Sequence, residues 1–183
     1  MTTVVLERLN DPPIRLDDIA AMEAQSAWCL EQHRVDHVLS LLSHDGCALL
    51  CAFAAPDAEA VRRVMQQLGM PIRAAWAATL HLPAGQAGDA PLATAEPASI
   101  VVVERAFAEP VEFAAVRTKA AADPWCRDQY GVRFLRSYFA LDRRRMICLY
   151  AAPDAESVRV VQRQIGLPHE RAWSAQLWET RAP

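Results

Sequence analysis

Arg136, Tyr138, Cys148 and Tyr150, with His37 and Cys51 from an earlier stretch, are the residues whose types and spacing offer chemistry. Spacings of two within a strand put side chains on one face, so Phe134, Arg136 and Tyr138 are expected to share a surface with Cys148 and Tyr150. A guanidinium there would hold an anion, Tyr138 or Tyr150 would donate a proton, and His37 would serve as base. Glu7 and Glu104, each followed by arginine, end two matching strands. One residue of each Glu-Arg pair must face inward, as a structural ion pair or a ligand contact.

Other spacings carry less. His33-x-x-x-His37 suits a metal only if both residues lie on one helix, and His37 reads as strand. Cys47-x-x-x-Cys51 straddles a turn, and only Cys51 recurs, as Cys148. Small core residues explain that pair better than ligands or nucleophiles, since no histidine or helix N-terminus stands by to lower a thiol pKa. Arg143 to Arg145 reads as a solvated hairpin tip. The chain has no Gly-rich phosphate loop, G-x-S-x-G elbow, H-E-x-x-H or paired C-x-x-C, which disfavours the nucleotide-dependent and hydrolytic classes that those motifs mark.

The elements that must position these residues occur twice. Adding 97 to a residue number carries Val4–Leu80 onto Val101–Leu177 without a gap, with 29 of 77 positions identical. At one ungapped offset this is a divergent tandem duplication. Each copy reads as a β-rich first strand, a helix (Leu16–Gln32 in the first), a two-stranded hairpin, a Pro-Asp-capped helix closed by Gly69 or Gly166, and a last strand around Trp76 or Trp173. Pro124 after Asp123 predicts that the first helix of copy two kinks or restarts. The order β-α-β-β-α-β is the ferredoxin-like split unit.

The expected fold is therefore α+β: two tandem ferredoxin-like units packed sheet to sheet as a pseudo-dimeric α+β barrel. The expected boundaries are 1–82 and 100–183, joined by a Pro/Ala/Gly-rich linker at 83–99. Unbroken alternation puts Leu135, Phe139, Ile147, Leu149 and Ala151 under the helices. Phe134, Arg136, Tyr138, Cys148 and Tyr150 of copy two, and His37 and Cys51 of copy one, then fall between the sheets. A small organic ligand, or less readily a metal ion, is expected there. A cofactor-independent enzyme and a structural module without a ligand are the alternatives.

A net charge of −3 and a pI near 5.9 give no electrostatic reason to expect nucleic acid. No stretch has the ~18 apolar residues of a membrane span, the N-terminus lacks signal features, and five cysteines read as reduced thiols. A cytoplasmic protein is expected, either a monomeric pseudo-dimer or a further homodimer, with no cofactor.

The string RSYFALDRRRMICLYAAPDAESVR (Arg136–Arg159), preceded by VVVER, resembles a family of small ferredoxin-like domains of unknown function whose members include nickel-binding proteins. The resemblance covers both copies and is eroded in the first, where Leu41 and Phe53 replace the tyrosines. Family members pair as dimers, so the tandem chain resembles a fused dimer. The resemblance implies nickel. The histidines of the family pattern fall at Arg136 and Leu39, and at Val64 and Val161, so no metal ligand is carried over.

Overall fold

The computed structural model describes residues 1–86, 92, 99–121 and 124–179. Copy one runs β1 (Thr2–Leu9), α1 (Leu16–Gln32), β2 (Asp36–Ser43), β3 (Ala48–Ala55), α2 (Ala58–Gln67) and β4 (Ala74–His81). Copy two runs β5 (Ser99–Ala106), α3 (Phe113–Ala121), α4 (Pro124–Gln129), β6 (Arg133–Ala140), β7 (Arg145–Ala152), α5 (Ala155–Gln164) and β8 (Arg171–Glu179). Two helices, α3 and α4, stand where copy one has α1, as a proline that lacks an N–H and crowds the preceding turn requires. Asp57 and Asp154 cap α2 and α5, accepting from Ala60 N at 2.8 Å and Ser157 N at 2.7 Å. Gly69 and Gly166 take the left-handed conformation just past those helices, with φ of 64° and 63°.

In copy one β1 lies between β3 and β4, with β2 beyond β3. In copy two β5 lies between β7 and β8, with β6 beyond β7. Every one of these pairings is antiparallel, which gives each copy the ferredoxin-like strand order. The compact units are Met1–Ala78 with Gln176–Pro183, and Thr79–Ala175. The end of β4 thus belongs to the second unit and the end of β8 to the first. Most of the linker expected at 83–99 lies outside the described residues. No described helix is long and apolar enough to cross a membrane.

Each unit packs its helices on one face of its own sheet. Val4, Leu6, Cys51 and Phe53 meet Ile19, Cys29, Val61 and Val64 in the first. Val101, Val103, Cys148 and Tyr150 meet Val116, Cys126, Val158 and Val161 in the second. The hairpins break the expected alternation. Register shifts fall between His37 and Leu39 and between Phe134 and Arg136, leaving Val38 and Leu135 as the extra residue of a bulge. Beyond each bulge the strand presents the other parity to the helices.

The face assignment is corrected accordingly. Phe134, Cys148 and Tyr150 lie under the helices of the second unit, and Cys51 with Phe53, the residue paired to His37, lies under those of the first. Ile147, Leu149 and Ala151 are on the opposite face, because Met146, Cys148 and Tyr150 alternate with them. Arg136 pairs with Leu149 and Tyr138 with Ile147, so both lie on that opposite face. The helix side is therefore not uniformly apolar. It carries Arg8, Ser40 and Cys51 in copy one and Arg105, Ser137 and Cys148 in copy two, the same three types at matched positions.

Candidate functional site

A cavity of about 300 Å³ lies within the second unit, between the sheet and helices α3, α4 and α5. β5 supplies Arg105, β6 supplies Phe134 and Ser137, β7 supplies Met146, Cys148 and Tyr150, and α5 supplies Gln162 and Ile165. Phe113, Val116 and Arg117 come from α3 and Arg127 from α4, while the end of β4 brings Leu80 and His81. The volume sits at the small end of the ~300–1,000 Å³ typical of ligand pockets.

The deep wall is polar. Arg105 is 2% exposed, Ser137 0% and Gln162 1%. One guanidinium nitrogen of Arg105 donates to Gln162 Oε1 at 2.5 Å, and the other terminal nitrogen donates to the Pro168 carbonyl. The Tyr150 phenol stands beside Arg105, Gln162 and Cys148. Burial holds it well above the ordinary tyrosine range, the Cys148 thiol adds to the rise, and Arg105 acts against it. Tyr150 therefore keeps its proton at neutral pH. Four buried atoms of this wall have no hydrogen-bond partner among the described residues: Arg105 Nε, Arg127 Nε, Ser137 Oγ and Gln162 Nε2. Leaving one such group unpaired costs about 1–3 kcal/mol. At the mouth the His81 ring stacks on Phe113, with centroids 3.5 Å apart and planes at 18°.

The matching space in the first unit is about 60 Å³. There His37 Nε2 meets Ser40 Oγ at 2.8 Å, Ser40 Oγ meets Cys51 Sγ at 3.0 Å, and His37 Nδ1 lies 3.5 Å from Glu23 Oε1. Trp178 Nε1 donates to Glu23 Oε2 at 2.7 Å. Burial lowers the His37 pKa, against the pull of Glu23, and pushes the Cys51 thiol up to about 11. This is a smaller copy of the second cavity, whose polar groups are paired apart from Arg8 Nε, which has no partner among the described residues. Met65, Leu30, Glu23 and Trp178 stand where the second unit has Gln162, Arg127, Ala120 and His81.

The structure thus gathers Phe134, Cys148 and Tyr150 at one cavity, and His37 and Cys51 at the other. Arg136 and Tyr138 go elsewhere, on the opposite sheet face, where both are buried. Glu7 and Glu104 are also outside the cavities. Each accepts from a tryptophan Nε1, of Trp76 at 2.8 Å and of Trp173 at 2.7 Å, with Arg73 and Arg171 close by. They hold the outer strands β4 and β8 to the centre of their sheets. Sequence reasoning missed Arg127, Ser137, Gln162 and His81, and of the Glu104-Arg105 pair it took the glutamate as the site residue where the arginine lines the cavity. The available signal was polarity kept through the duplication, since Arg8/Arg105 and Ser40/Ser137 are identical where most of the hairpin diverged.

The model of a family described as nickel responsive protein SCO4226-like matches the chain twice, at residues 4–76 and 102–174. No curated protein matches. Among solved structures, a putative chlorite dismutase is similar at 12% identity and a TM-score of 0.54, over 97% of this chain and 94% of that one. A mutant chlorite dismutase from Candidatus Nitrospira defluvii in complex with cyanide is similar at 14% identity and a TM-score of 0.50, over 95% and 89%. At such identities the likeness is one of fold. A nickel site does not fit the described residues. Among the described residues no three of His, Cys, Asp and Glu gather where they would hold a metal. Val64 and Val161 are wholly buried in their cores.

Proposed function

The chain belongs to the SCO4226-like family, as a tandem pair of its domains, and we propose that its second domain binds a small organic molecule in the cavity between its sheet and helices. One observation carries this reading: four buried polar atoms without partners among the described residues border one cavity, while its much smaller duplicate has one, Arg8 Nε. Buried polar groups are ordinarily satisfied, so a cluster of exceptions marks a place where a ligand supplies the missing acceptors. The five free thiols support a reducing, cytoplasmic setting.

The test is a fragment screen of mixed charge, read by NMR on the Met146 methyl in the cavity wall. Shifts are expected with a subset of fragments, and none in the double variant His81→Trp/Ala120→Glu, which installs the residues that close the first unit. A Met146 methyl that no fragment moves, or that moves equally in the closed variant, would refute the reading. A catalytic reading has one specific support. Tyr150, alone of the proton donors expected from sequence, reaches the cavity with its proton held in place, beside Arg105. Turnover of a bound fragment by the wild type but not by Tyr150→Phe would establish it.

A further inference from the structure

Resting on that cavity, we infer the class of its ligand: an organic carboxylate with a flat apolar body, its carboxylate seated among Arg105, Ser137 and Gln162. The first argument is charge. Arg105, Arg117 and Arg127 line the cavity, and among the described residues no aspartate or glutamate does. A buried guanidinium is costly without an opposite charge, and around Arg105 stand Gln162, the Pro168 carbonyl, Tyr150 and Cys148, with no carboxylate among the described residues.

The second argument is valence. Three of the four unpartnered atoms, Arg105 Nε, Arg127 Nε and Gln162 Nε2, can only donate, and Ser137 Oγ can donate as well. A carboxylate offers about four lone-pair sites on two oxygens, and it matches a guanidinium in plane and spacing. An amine would meet donors with donors, and a hydrocarbon would leave all four unpaired.

The third argument comes from the duplication itself. In the first unit the space beside the matched arginine and serine contains a carboxylate of the protein's own, Glu23, which reaches His37 and Trp178. The position matching Glu23 is Ala120, in the wall of the second cavity. Copy two has the donors and the room, and an alanine where copy one has the acid. The rest of the wall sets the ligand's body. Phe113, Phe134, Met146, Ile165 and Leu167 are apolar, and the His81–Phe113 stack makes a flat aromatic edge at the mouth. A bare inorganic anion would leave that surface uncovered.

Calorimetry on the full chain at pH 7 decides the matter with three probes: 2-naphthoate, 2-naphthamide and inorganic phosphate. One naphthoate is expected per chain, with the amide at least tenfold weaker and no phosphate uptake. Ala120→Glu, at a half-buried helix position, should weaken naphthoate at least tenfold more than it weakens the amide, since the added carboxylate repels the acid beyond the room it takes from both. Arg105→Gln should abolish the preference for acid over amide, and Ala120→Glu alone carries the test if that variant fails to fold. Amide binding equal to naphthoate, or phosphate equal to naphthoate, overturns the ligand class and leaves the cavity standing. If neither naphthyl probe binds while other fragments shift Met146, the class again falls alone. If no fragment shifts Met146 either, class and cavity fall together.

Discussion

Ser40 and Ser137 are the same residue in the same strand position of two copies, yet their environments set opposite stability effects. Ser40 bridges His37 and Cys51, whereas Phe134 replaces His37 in the second unit and Ser137 Oγ is buried without a partner. Ser40→Ala should cost about 1–3 kcal/mol, because it strands a buried imidazole nitrogen. Ser137→Ala should leave the ligand-free protein unchanged or stabilise it by about 1 kcal/mol, by removing an unpaired hydroxyl. Paired urea melts measure both, and equal losses at the two sites would contradict the assignment. Titration follows the same logic. His37, His81 and His169 all have pKa values lowered first of all by burial. The unfolded chain therefore takes up protons near pH ~6.5 while the folded one does not. Stability should be complete above that pH and fall as pH drops from about 7 toward 5, as thermal melts across that range will show. His37→Gln should flatten part of this slope.

The hairpin bulges are the element-scale feature on which the cavities depend. Because of the extra residue at Leu135, Phe134 and Ser137 both face the helices although they are three apart, an odd spacing that a regular strand forbids. The tools that read the sequence, strict alternation and an apolar helix side, could not find this, since no glycine or proline marks either bulge. Deleting Leu135 should give a regular ladder in which Phe134 stays on the helix side, since it already pairs with Tyr150 next to the Arg136–Leu149 pair. The expected loss stays within about 1–3 kcal/mol, the ordinary range for a single change, and circular dichroism melts would register it as a lowered but still cooperative transition. Deleting Val38, the matching residue in the first unit, should act alike. A deletion that abolishes the cooperative transition would contradict this reading of the bulge.

For the whole molecule, the strand ends make the two repeats mutually dependent. Thr79 and His81 belong to the second unit, where Thr79 Oγ1 donates to the Phe139 carbonyl at 3.3 Å and His81 stacks on Phe113. A fragment of residues 98–183 lacks them, and its own strand end, with Trp178, belongs to the first unit. Expressed alone, it is expected to self-associate or to unfold. Sedimentation equilibrium showing a well-folded monomer would count against this.

The sequence by itself determined the duplication, the strand and helix order, the helix restart at Pro124 and the caps at Asp57 and Asp154, because each rests on local chemistry or on a direct match between copies. It also named Phe134, Cys148 and Tyr150 as candidates, and all three line the second cavity. The tertiary structure alone decided which sheet face those residues take, since a one-residue bulge reverses parity and is specified by pairing across strands. Tertiary structure likewise brought Arg105, Gln162, Arg127 and His81 together from four separate elements. It also left one of two homologous cavities open, through replacements such as His81 for Trp178 and Ala120 for Glu23 whose effect is steric and appears only where the chain folds back on itself.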